Sequence, residues 1–155
     1  MSQRLPSSVA ARTCAILLCA AVCVIHLKDQ NWFAFDKDPR YVLAGYILLE
    51  VAAVAAIAWL LVRPSRTAWL LAAAVALGPL AGYVLSRGPG LPSYRDDIGN
   101  WSEALGVLSL LVEGSLLVLS TAVLLASREA VATGRRVLPA ANHRRQSTLQ
   151  ATADR

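Results

Sequence analysis

Residues 86–113 read SRGPGLPSYRDDIGNWSEALGVLSLLVE, and this stretch decides the fold. It starts where one apolar segment ends, breaks at Gly88-Pro89-Gly90 and Pro92, and re-enters apolar sequence after Ser102. Gly and Pro at that density force turns. Ser102 is placed to cap a new helix, with Glu103 favourable in its first turn. Ten residues further on stands Glu113, a carboxylate within apolar sequence. A carboxylate is costly in hydrocarbon unless it faces a partner or water, so its position marks a functional hypothesis.

Working outward, four apolar blocks are long enough to cross a bilayer, at 9–27, 41–62, 67–86 and 103–126. A span needs ~20 mostly apolar residues to cover ~30 Å. The 155-residue chain is 56% hydrophobic, and four spans leave no room for a separate soluble domain. The expected fold is all-α, a four-helix transmembrane bundle. It is preceded by a polar lead at 1–8 and followed by a basic, largely disordered tail at 127–155.

The formal charge of +5 is sorted along the chain. Ten of the fifteen basic residues, from Arg4 and Arg12 through Arg63 and Arg66 to Arg155, fall on the side that holds both termini. Lys28, Lys37, Arg40, Arg87 and Arg95 fall on the other side, beside most of the acids. Excess Lys/Arg in short connections marks the cytoplasmic face, so both termini are expected there, in a bacterial plasma membrane. The basic balance therefore reports topology and attraction to membrane lipids rather than nucleic-acid binding, for which no interleaved aromatics are present. The first span starts with basic residues like a signal peptide. It lacks a small-residue cleavage site or lipobox, so it is expected to be retained.

Cys14, Cys19 and Cys23 all lie in the first span, so no disulfide framework is implied. Cys19, Cys23 and His26 share a helix face, which admits either a soft metal site or a plain apolar face with a wet histidine. Asp29, Asp36 and Asp38 in the first outer loop admit a cation site or an ordinary solvated loop.

Glu50 lies about nine residues into the second span and Glu113 ten residues beyond Glu103, so the two carboxylates reach similar depth. The expected intramembrane polar site comprises Glu50, Glu113, Tyr46, Ser109, His26 and Arg87. If the two helices are neighbours, one carboxylate should hold a proton or share a cation, and Arg87 should serve one of them at most. In the third span Ala74, Gly78, Gly82 and Ser86 recur every fourth residue. This stripe is expected to bury itself against another helix, within the chain, in a homo-oligomer or in a larger membrane complex.

His26-Leu27, Tyr41, Gly45, Glu50, Arg63-Pro64, Ser86-Arg87-x-x-Gly90-Leu91-Pro92, Glu103-x-x-Gly106 and Glu113 together resemble a group of small four-span actinobacterial membrane proteins. The resemblance covers about residues 20–115. It implies the four-span topology and marks these positions, with glutamine more usual where Glu50 stands. No activity, cofactor or partner follows from it. No Cys-x-x-Cys pair, His-Glu-x-x-His, phosphate loop or nucleophile motif is present, so neither an enzyme nor a cofactor is read from the sequence. Two functions remain: an intramembrane carboxylate site for a proton, metal ion or small solute, or a non-catalytic scaffold packing through the small-residue face.

Overall fold

Ser8 and Ser65 each turn the chain into a helix by the same device. The Ser8 hydroxyl accepts from the Ala11 amide at 3.1 Å and the Ser65 hydroxyl from the Ala68 amide at 3.4 Å. Each thereby satisfies an amide that the first helical turn leaves unpaired. A computed structural model describes residues 8–34 and 37–153, so the lead expected at 1–8 lies outside them except for Ser8. The helices are α1 (Val9–Asp29), α2 (Arg40–Val62), α3 (Arg66–Arg87) and α4 (Ala104–Ala153). A short 3-10 turn, Trp32–Ala34, follows α1. All four helices are long and apolar enough to cross a membrane, α4 over Ala104–Glu129.

Pro64 directly precedes Ser65, the cap of α3. The boundaries differ from expectation at α4. Ser102 does not cap α4. Glu103 stands at its start, its carbonyl accepting from the Val107 amide at 2.9 Å. The helical backbone also continues to Ala153, through the stretch expected as a largely disordered tail. Ala, Arg, Leu and Gln recur there, and all are good helix formers.

The helices form an antiparallel ring in chain order. α1 packs on α2 and α4, α3 packs on α2 and α4, and α1 touches α3 across the centre. Among the described residues, α2 and α4 make no contact, being at opposite corners. The core is built from small side chains: Ala15 and Cys19 of α1, Ala53 and Ala56 of α2, and Ala68, Ala72 and Ala76 of α3. Trp69, Leu60 and Leu116 fill the space between them. Small residues let apolar helices approach closely, and in lipid that dispersion contact replaces the hydrophobic driving force. The outward faces carry Leu17, Val51, Leu77, Leu111 and Val118, all exposed as lipid-facing residues would be.

Within the chain, the expected packing stripe is not the helix contact. The face of α3 that approaches its neighbours is Ala68–Ala72–Ala76, not Ala74–Gly78–Gly82–Ser86. A Cβ added at Gly78 or Gly82 would meet nothing within 4 Å. Small residues at those positions leave space rather than fill it.

Candidate functional site

The ends of α1 and α3 and the starts of α2 and α4 lie together at one end of the ring. From there an open cavity of about 810 Å³, lined also by the 88–103 loop, runs down between α2 and α3. The loop is drawn over this end by backbone and side-chain bonds. Leu91 and Tyr94 exchange backbone hydrogen bonds at 3.0 Å, and the Tyr41 hydroxyl donates to the Pro92 carbonyl at 2.6 Å. Gly90 takes φ +80°, a conformation that side chains disfavour, and Ile98 packs so closely that a Cβ there would come within 2.7 Å.

Arg87 fastens the loop. Its Nε donates to the Asn100 carbonyl at 2.9 Å, its Nη2 to Glu103 at 2.6 Å, and its Nη1 lies 3.8 Å from Asp97. The guanidinium also stacks 4.0 Å from the Tyr83 ring centroid, and the Tyr83 hydroxyl donates to the Trp101 carbonyl at 2.7 Å. Gly106 makes that stack possible, since a Cβ there would sit 2.7 Å from the Tyr83 ring. Arg87 thus pairs with loop-side acids and serves neither Glu50 nor Glu113, where one at most was expected. A side chain at the helix end finds carboxylates at its own depth first.

The two glutamates also part company. Glu113, 1% exposed, accepts at Oε1 from the Ser109 hydroxyl and pairs with His26 Nε2 at 2.9 Å. Glu50 instead accepts from the side-chain amide of buried Gln30, and Cys23 Sγ lies 3.9 Å from its carbonyl oxygen. The expected meeting of Glu50 with Glu113 is therefore replaced by two separate pairings, both to the end of α1. Equal depth was not enough, because α2 and α4 occupy opposite corners.

Of the six expected site residues, His26, Tyr46, Arg87 and Ser109 line the cavity. Glu113 lies behind it, held by two of those lining residues. The stripe Ala74, Gly78, Gly82 and Ser86 lines it as well. Sequence reasoning missed Gln30 as a partner of Glu50, and missed the role of Asp29, which accepts from the Tyr46 hydroxyl and lies 3.0 Å from Lys37 Nζ. The signal for Asp29 was its spacing of three from His26, which puts both on one helix face.

Tyr94 closes the mouth, its hydroxyl donating to Asp97 at 3.0 Å. Burial pushes the Tyr94 phenol above its ordinary range, and the bond to the Asp97 carboxylate pushes it further. Among the described residues, no three His, Cys, Asp or Glu side chains gather as metal ligands. Cys19 and Cys23 are free thiols; the cation site that the first outer loop admitted includes Asp36, which lies outside the described residues.

Geometry thus defines a four-helix, multi-pass membrane-type bundle with a polar-mouthed cavity at one end. The chain matches no family profile, no curated protein and no solved structure.

Proposed function

We propose that the chain is a non-enzymatic integral protein of a bacterial plasma membrane, with both termini cytoplasmic, that binds a small solute beside a proton-exchanging His26–Glu113 pair. The carrying observation is that Glu113 is buried and held by His26 and Ser109, both of which line the cavity. One proton serves this pair in two ways. Placed on Glu113 it leaves a neutral acid beside a neutral imidazole; moved to His26 it makes an ion pair at the same total charge. Glu113 Oε2 and His26 Nδ1 are both buried without hydrogen-bond partners, so neither form is fully satisfied by the protein. In a low-dielectric site the balance between two such forms responds to any charge arriving nearby. A solute next to His26 would therefore shift the proton from one partner to the other.

The alternative is a scaffold or accessory subunit packing through the small-residue face. Within the chain that face lines the cavity, so this reading takes the form of contact with a second chain. A metal ion as ligand finds no donor cluster among the described residues.

Infrared titration of the protein in nanodiscs tests the reading. A carboxyl band should vanish in Glu113→Gln, shift in His26→Gln, and respond to solute binding. If Glu113→Gln leaves the carboxyl spectrum and its response unchanged, the pair takes no part and the proposal falls. Thiol labelling of cysteines introduced at 93–100 and 147–153 tests the topology, and reaction of both segments from one side would overturn it.

A further inference from the structure

The cavity is long and chemically two-ended. Along α3 its lining runs from Leu71 to Arg87, sixteen residues, or ~24 Å at 1.5 Å per residue. The lower part is apolar, with Leu49, Ala52, Leu71 and Val75 among its walls. The upper part carries the carboxylates of Asp29, Asp97 and Glu103 against the cations of Lys37 and Arg87. Three carboxylates against two cations leave this mouth negative, and the rings of Tyr41, Tyr46, Tyr83 and Tyr94 surround it. Gly45 and Leu48 of α2 and Ala74 and Gly78 of α3 line the cavity and are exposed, so it opens sideways between α2 and α3. In a bilayer that opening faces the acyl chains.

The protein's own side chains indicate what suits the mouth. Lys37 Nζ lies 3.0 Å from Asp29 and 5.4 Å from the centroid of the Tyr46 ring. Tyr46 in turn donates to Asp29, which holds carboxylate and ring in one fixed unit. A carboxylate beside an aromatic face is an ammonium seat, since the ring quadrupole and the anion both attract a cation. Lys37 is a tethered ammonium on a flexible stem, in a loop, and it remains partly exposed. Arg87, by contrast, is pinned by three partners and cannot yield its place.

We infer that the cavity takes a single-chain alkyl-ammonium amphiphile from the bilayer, its ammonium displacing Lys37 on the Asp29–Tyr46 seat and its chain lying along Ala74–Gly78–Gly82. This rests on the reading of the cavity as a solute site and names the solute's class. The volume is that of a site for one drug-sized molecule, ~300–1,000 Å³. An anionic head would meet three carboxylates. A neutral alcohol would gain the trough without the seat. The small residues of the stripe are what leave room for the chain.

The test uses the full chain in phosphatidylcholine nanodiscs, with dodecylamine as probe and dodecanol as the matched neutral chain. Dodecylamine should bind saturably and dodecanol should not. Lys37→Gln removes the tethered competitor and should tighten dodecylamine binding about tenfold, the size expected for one surface ion pair with a cation–π contact. Asp29→Asn should weaken binding at least about tenfold on the same grounds. Gly78→Leu should abolish it by filling the trough. If dodecanol binds as well as dodecylamine, or if Lys37→Gln leaves affinity unchanged, the ammonium seat is refuted. Absence of dodecylamine binding with the Glu113 carboxyl band intact would reject this class of solute alone. Loss of the band's dependence on Glu113 would instead reject the underlying site.

Discussion

His26 and Glu113 stand 2.9 Å apart although 87 residues separate them, one on α1 and one on α4. Their pairing places a nearly inaccessible carboxylate one side chain behind the cavity wall. Ser109, four residues before Glu113, completes the arrangement from within α4.

That pairing makes a stability prediction. Glu113→Ala removes the acceptor and leaves the Ser109 hydroxyl and His26 Nε2 buried without it. Unsatisfied buried groups cost ~1–3 kcal/mol each, so a loss of about 2 kcal/mol or more is expected. Glu113→Gln keeps an acceptor oxygen and should retain most of the stability. Thermal unfolding in nanodiscs distinguishes the two. Equal losses for both variants would mean that charge, not hydrogen bonding, holds the pair.

Two glycines should respond in opposite ways. Gly106→Ala brings a Cβ within 2.7 Å of the Tyr83 ring and 3.1 Å of Arg87 Nη2, so the cation–π stack must shift. Overpacking of this kind costs ~1–3 kcal/mol. Gly82→Leu points its side chain into open space, with nothing within 4 Å of the new Cβ. It should change stability by less than ~1 kcal/mol while reducing the cavity volume. Comparison of unfolding midpoints tests both, and a large loss at Gly82 would return that stripe to a packing role.

Loop closure should weaken in alkali. The Tyr94 phenol is raised by burial and by its bond to Asp97, so its folded-state value exceeds the unfolded one. A raised group contributes stability that is complete below the unfolded value and is lost as pH climbs toward the folded one. The contribution is therefore full at neutral pH and declines above ~10, the ordinary tyrosine value. Tyr94→Phe should remove one tyrosine from the late-titrating part of the tyrosinate absorbance, and should flatten the alkaline decline. An unaltered titration in that variant would assign the late group elsewhere.

The class of fold was legible residue by residue. Four apolar blocks, the Arg63-Pro64-Ser65 turn and the Gly/Pro breaks at 88–92 each act locally, and hydropathy sums along one segment without reference to any other. Depth was legible for the same reason: Glu50 and Glu113 lie at similar levels because rise per residue is constant. The six candidate residues were found by asking which polar groups sit at unusual depth, and four of them line the cavity.

What the chain alone left open was direction around each helix axis and the choice of neighbour. A span that is apolar all round carries little signal for which face turns inward, since lipid and core are equally apolar. Hence Ala74–Gly78–Gly82–Ser86 read as a packing face, whereas within the chain Ala68–Ala72–Ala76 makes the contact. Hence also Glu50 and Glu113 read as one site, whereas α2 and α4 stand at opposite corners and α1 offers each a separate partner, Gln30 and His26. Sequence determined how deep each polar group lies. Only the packing of four helices into a ring decided which of them meet, because that depends on helix–helix contacts summed over the whole bundle.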